Sequence, residues 1–392
     1  MKIFIRKKSI YARRLRLFLQ GFMLVLMGSC LMACGGKDVA YVAPLIQFQQ
    51  TVAVDVLWTS MVGRGSQREP LKMTPTLYGG QIYIANQKGQ ISVVDAQTGK
   101  SVHQINLKEP ISSSLAVDDG VLYMGMRRGE VAAVNRQNGA IMWRAPMSNE
   151  VLAAPTVAGG MVLVKTIDDH VYALNQQDGS VVWSYQQPAP PMTLRGGSSP
   201  KVAGNIVIVG FTDGSVAALN RQNGAMLWST TVARSGGGSI VERMTDIENA
   251  LAISDGVVYV GTYQGGIAAL SLHSGDTIWE QKVPAYASLA FDAHHVYVSD
   301  TSDQLWALNR KTGSMVWRQE NLKGRGITAP LVLNGVILVG DNQGFVHWMT
   351  IKTGQFIART RPDPSGIAAD PFTNGRIIYI YTNAGRLVAY KI

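Results

Sequence analysis

One arrangement of apolar and polar positions recurs along this chain. A small or turn-forming residue opens an alternating run of alanine with valine or leucine, and a polar residue closes it. A tight turn ending in glycine follows, and then a second apolar run that carries tryptophan. The clearest copy runs from Gly129 to Asn135, turns at Gly139 and reaches Trp143. Others are Asp169–Asn175 with Gly179 and Trp183, Gly214–Asn220 with Gly224 and Trp228, Gly265–Ser271 with Gly275 and Trp279, and Asp303–Asn309 with Gly313 and Trp317. Gly89–Asp95 with Gly99 carries His103 at the tryptophan position, and Gly344–Thr350 with Gly354 carries Ala358. Short alternating runs bounded by glycine predict strands joined by tight turns.

Two further strands precede each copy. The first is rich in Thr, Ser and Pro, as at Ala153–Val157 and Thr328–Val332; the second is wholly apolar, as at Val257–Val260 and Val336–Val339. Four short strands in about 40 residues is the period of a propeller blade. Continuous apolar strands suit sheets covered on both faces by neighbouring blades. The eighth copy, Gly385–Lys391, has no tryptophan strand after it, while Val56–Ser60 near the N-terminus reads like Leu227–Thr230. The expected fold is therefore all-β: an eight-bladed β-propeller of four-stranded antiparallel blades, its ring closed by the N-terminal strand completing the last blade. The tryptophans are expected to pack between blades.

The turn glycines at 99, 139, 179, 224, 275, 313 and 354 are spaced 40, 40, 45, 51, 38 and 41 residues apart, so two neighbouring units are enlarged. The extra residues fall in Pro188–Pro200 and Ala233–Asn249. Insertions in a repeat protein map to loops on one face, often the binding face. Met192, Leu194 and Arg195 offer apolar surface around a cation, a composition common at interface hot spots. Asp246 and Glu248, two apart, share a face if their stretch is extended, where they could hold Arg195 or meet a basic partner.

Charge changes the picture of the ends only. The chain carries +10, but Lys2, Arg6, Lys7, Lys8, Arg13, Arg14 and Arg16 precede a broken apolar run from Leu17 to Met27. That is the pattern of a secretory signal peptide, expected at 1–33. Without its seven charges the chain is at +3, too near neutral for an electrostatic claim on nucleic acid. Leu31-Met32-Ala33-Cys34 has the form of a bacterial lipobox, with Cys34 the acylated residue; Met27–Cys30 is a poorer second version. Several acyl chains give stable membrane anchoring. Gly35 after the cysteine, where Asp favours the inner membrane in bacterial lipoproteins, implies the outer membrane. Residues 34–52 then read as lipidated cysteine and tether, and 53–392 as the ring.

No cysteine follows Cys34, so neither a disulfide nor a thiolate zinc site holds the ring. His103, His170, His273, His294, His295 and His347 show no metal-ligand spacing. No nucleophile elbow or phosphate loop is present, and Asp168-Asp169 read as turn residues. No catalytic residue, metal or cofactor is expected. Two alternatives remain: a quinoprotein-like periplasmic dehydrogenase, which shares the repeat but needs adjacent cysteines over its cofactor, and a glycan-binding envelope propeller, which needs aromatics in face loops.

The lipobox, the repeats, the stretch Leu194-Arg-Gly-Gly-Ser-Ser-Pro200 and the stretch Arg243-Met-Thr-Asp-Ile-Glu248 together resemble BamB-type lipoproteins, the propeller subunit of the outer-membrane β-barrel assembly machinery. The resemblance implies that Met192, Leu194, Arg195, Asp246 and Glu248 contact the periplasmic POTRA domains of the barrel subunit BamA. It implies membership of the wider assembly complex, a periplasm-facing position on the outer membrane and support of barrel folding and insertion, with nascent outer-membrane proteins a further conceivable contact. Met192 and Glu248 stand where that family usually has Leu and Asp.

Overall fold

The computed structural model describes residues 41–63, 65, 73–188, 197–232, 247, 250–262, 265–285, 287–367 and 369–392. From Val42 onward these form one unit of eight antiparallel four-stranded sheets. Blade 1 comprises Thr76–Tyr78, Gln81–Ala85, Gln90–Asp95 and Ser101–Asn106, from the innermost to the outermost strand. Blades 2 to 7 repeat the order and end in the outer strands Ile141–Pro146, Val181–Gln186, Met226–Thr231, Thr277–Gln281, Met315–Gln319 and Phe356–Thr360. Blade 8 takes Phe372–Thr373, Ile378–Tyr381 and Arg386–Lys391 from the end of the chain and Asp55–Met61 from its beginning. That closing strand pairs Trp58 with Ala389 and Ser60 with Leu387, as the sequence led one to expect.

Each apolar cluster draws on two adjacent blades. Leu163 and Val171 of blade 3, for example, pack with Val207 and Ala217 of blade 4, and Leu338 and Val346 of blade 7 with Ile378 and Val388 of blade 8. The hydrophobic free energy is thus distributed around the ring in the contacts between sheets. The tryptophans stitch these contacts. The indole Nε1 groups of Trp143, Trp183, Trp228, Trp279 and Trp317 donate to the carbonyls of Gln176, Arg221, Leu272, Arg310 and Ile351 in the following blade, at 2.7–3.0 Å. His103 does the same work for blade 1, its Nε2 lying 2.9 Å from Arg136 O.

In all eight blades the pairing of the third with the outer strand slips by one residue just before the tryptophan position. Such a bulge leaves an extra residue unpaired and re-aims its neighbours. It turns the side chain at the tryptophan position inward and the two residues before it outward; that pair is wholly apolar in six blades, while blades 1 and 5 begin it with Ser101 and Thr277.

Residues 42–52, expected to be tether, are docked along blade 7. Ala43 N–H donates to Lys323 O at 2.8 Å and Ala43 O accepts from Arg325 at 2.9 Å. Arg359 donates to Ile46 O, Phe48 stacks on Phe356 at 5.6 Å, and Thr51 N–H donates to Ile357 O at 2.9 Å.

Candidate functional site

Strand direction alternates within each blade. Every connection from an outermost strand to the next innermost strand therefore lies on the same face as the turns between second and third strands. Both enlarged connections are of this type. One leaves Val181–Gln186 of blade 3 for Lys201–Ala203 of blade 4; the other leaves Met226–Thr231 of blade 4 for Leu251–Ser254 of blade 5. Met192, Leu194, Arg195, Asp246 and Glu248 lie outside the described residues, as does Cys34. The structure places the residues that flank them.

Those flanks meet at Gly210, the last residue of the second strand of blade 4. A β-carbon on Gly210 would stand 2.4 Å from Ile247 Cγ2 and 3.1 Å from Ser198 Oγ, so the two enlarged connections close over one bare backbone position. Ile247 is buried and its N–H points to Phe211 O at 3.4 Å. From below, Lys165 Nζ donates to Gly210 O at 2.9 Å and to Asp169 Oδ1 at 2.8 Å. Asp169 Oδ2 accepts the N–H of Thr212 at 3.0 Å and also its hydroxyl. Both members of the Lys165–Asp169 pair are out of solvent, and the ammonium sits over the Phe211 ring at 5.6 Å. A buried pair of this kind is tolerated because both carboxylate oxygens accept hydrogen bonds and the ammonium donates two, with the Phe211 ring beside it. Gly197, the first described residue after the site stretch, lies against the Lys165 stem.

Ser198 stands apart from its counterparts. In blades 2 and 7 the equivalent hydroxyls of Ser113 and Thr328 accept the N–H of Gly125 and Gly340 at 2.8 and 2.9 Å. Ser198 Oγ is buried with no hydrogen-bond partner among the described residues. Two residues on, Pro200 O accepts the Thr156 hydroxyl at 2.7 Å, which ties this connection to blade 3. Burial pushes the Lys201 ammonium below its ordinary pKa. It also pushes the Tyr185 phenol up, helped by the charge of Asp213.

Asp169 is therefore more than the turn residue it was expected to be: at φ +58° it carries a buried ion pair. Lys165, Gly210 and Ile247 were not singled out by the sequence. A glycine ending an apolar strand was the available signal, since glycine there marks a close approach. Among the described residues no three His, Cys, Asp or Glu side chains gather as metal ligands.

The protein family described as "Outer membrane protein assembly factor BamB" matches residues 87–319. A protein of that description from Alkalilimnicola ehrlichii is 41% identical over 362 residues, 92% of this chain and 94% of its own length. The chain belongs to the BamB family. The crystal structure of BamB from Moraxella catarrhalis superimposes with a TM-score of 0.78 at 24% identity, covering 87% of this chain and 100% of that one. The quinohemoprotein alcohol dehydrogenase of Comamonas testosteroni gives 0.68 at 13% identity over 86% of this chain and 76% of its own. At those identities both structures speak to the fold that the BamB family shares.

Proposed function

We propose that this chain is a non-catalytic lipoprotein scaffold of outer-membrane β-barrel assembly, binding the POTRA domains of the barrel subunit BamA. In this reading residues 1–33 are removed as signal peptide and an acylated Cys34 holds the ring to the outer membrane, facing the periplasm. Met192, Leu194, Arg195, Asp246 and Glu248 make the contact. The observation that supports it best is the convergence on Gly210. Two enlarged connections on one face of neighbouring blades share a buried footing, which suits a single composite docking surface. The lack of any cysteine after Cys34 weighs against a quinoprotein dehydrogenase.

The test is capture of the mature chain by immobilised POTRA domains, wild type against Arg195→Glu, with circular dichroism to show an intact ring. Capture of wild type and loss of about tenfold or more in the variant is expected for a hot-spot residue. Equal capture of both would move the contact elsewhere, and no capture of wild type would overturn the scaffold reading.

A further inference from the structure

Phe356 and Ile357 of the blade 7 bulge are 9% and 8% exposed, where Met315 and Val316 of blade 6 are 54% and 44% exposed. The cover on blade 7 is the chain's own segment 43–54, which sets Ile46, Phe48, Val52 and Val54 against the ring. Two arginines hold its backbone. Arg325 donates to Ala43 O at 2.9 Å and Arg359 to Ile46 O at 3.1 Å. Both lead to one buried imidazole. Arg359 Nε donates to His347 Nδ1 at 3.3 Å, His347 Nε2 meets Asp341 Oδ2 at 2.9 Å, and Arg325 pairs with the same carboxylate oxygen at 2.7 Å. His347, Asp341 and Arg325 are out of solvent. From the connection to blade 8, Arg361 lies over the Phe345 ring at 4.5 Å, and that ring is 6.2 Å from His347. The segment itself brings no charge, since residues 43–54 contain no ionisable side chain.

An imidazole between these partners has one workable tautomer, because a carboxylate only accepts and a guanidinium only donates. Its proton sits on Nε2, and the free Nδ1 takes the Arg359 N–H. A second proton, taken from solvent, lands on Nδ1 and replaces that acceptor with a donor. It also sets a third cation beside Arg325 and Arg359, with Asp341 alone to answer them. Burial and the Arg325 charge already disfavour the Arg359 cation, and Arg359 is the half-buried member that can withdraw toward water. Its withdrawal removes the bond to Ile46 O and the cation over Phe48. We propose that protonation of His347 releases segment 43–54 from blade 7, so that the segment is a clasp opened by acid. The direction follows from the closed form. Burial holds the imidazole below its ordinary pKa and the Arg359 charge adds to that push, so withdrawal of Arg359 raises it. Opening therefore takes up a proton, and the open form gains as pH falls below about 6.5. The consequence for reach rests on the lipoprotein reading above. Ala43 is nine residues along from Cys34 and Val54 is twenty, so release lengthens the largest span between anchor and ring from roughly 30 Å to roughly 70 Å.

The experiment measures spin-label distances in the mature chain carrying Cys34→Ser. One pair of nitroxides sits on Gln47→Cys and Gln355→Cys, exposed positions of the segment and of blade 7. A second pair on Gln137→Cys and Gln222→Cys, in turns of blades 2 and 4, reports the ring. At pH 7.5 the first pair should show one short, docked population. At pH 5.5 the ratio of released to docked should rise by up to about tenfold, with the ring pair unchanged. Phe48→Asp supplies the released distances at pH 7.5, and His347→Gln, with an amide in place of the titrating ring, should show no pH response. A ratio that stays constant between the two pH values overturns the proposal, as does an equal rise in His347→Gln. Broadening of the ring pair at pH 5.5 means that the blades themselves are lost, which also overturns it. Mass spectrometry of the Cys34 peptide from membrane-extracted wild type tests the anchor separately. An unmodified cysteine there removes the change in reach, while the acid release is still decided by the spin labels.

Discussion

The indole of Trp183 fills the space that Gly224 leaves empty in the next blade. A β-carbon on Gly224 would lie 2.6 Å from Trp183 Cε3, and the glycine has φ +72°. The contact recurs from Trp143 to Gly179, Trp228 to Gly275, Trp279 to Gly313 and Trp317 to Gly354. Gly224→Ala meets two costs together, overpacking and a left-handed backbone. A loss of about 3 kcal/mol in urea unfolding is expected. Trp183→Phe keeps most of the buried area and loses the bond to Arg221 O, so about 1–2 kcal/mol is expected.

Lys165→Met leaves the Asp169 carboxylate buried without its counter-charge. Unfolding measurements should show a loss of about 3–5 kcal/mol. Asparagine at 169 tolerates the left-handed backbone and still accepts from Thr212. The double variant Lys165→Met/Asp169→Asn should therefore recover much of the loss. A double variant as unstable as the single one would show that the ammonium acts through Gly210 O alone.

His347 makes the ring acid-sensitive. Its Nε2–H donates to Asp341 Oδ2 at 2.9 Å and its Nδ1 accepts from Arg359 at 3.3 Å, which describes a neutral imidazole. Burial pushes its pKa below the ordinary value and outweighs the pull of Asp341. The unfolded chain takes up the proton first, so this contribution is complete above about pH 6.5 and falls away below it, by up to about 1.4 kcal/mol per pH unit. Asp341 is desolvated too, but bonds from His347, Phe345 N–H and Arg325 hold its pKa below the usual carboxylate value; its share is lost only in stronger acid. Urea midpoints at pH 7.5 and 5.5 should differ more for wild type than for His347→Gln.

Arg359→Ala removes the donor to Ile46 O and the cation over Phe48 and Phe356. Segment 43–54 should then open more often, and limited proteolysis should cut it about tenfold faster while the blades stay intact.

The repeat, the closing strand and the tryptophan contacts were legible because each depends on local spacing that the chain repeats. The outward bulge was not, since one unpaired residue leaves an apolar run looking like any other. The docked segment showed its alternation at Ile46 and Phe48, yet alternation does not name the surface it meets. Lys165 and Asp169 are four apart across a hairpin turn, and nothing in their spacing says that blade 4 closes over them. For the candidate site the sequence supplied the loops, and the structure supplied the footing at Gly210.

Closure by Asp55–Met61 against Arg386–Lys391 also sets an order of events. As the chain is synthesised, the first strand made is the last to find its hydrogen bonds, whereas the strands of the other seven blades pair with near neighbours in sequence. Completing the circle is thus the most non-local step, the kind that topology makes slow. Until it happens two complementary strand edges stand open, on one molecule or between two. The finished ring removes that opportunity for exchange between copies.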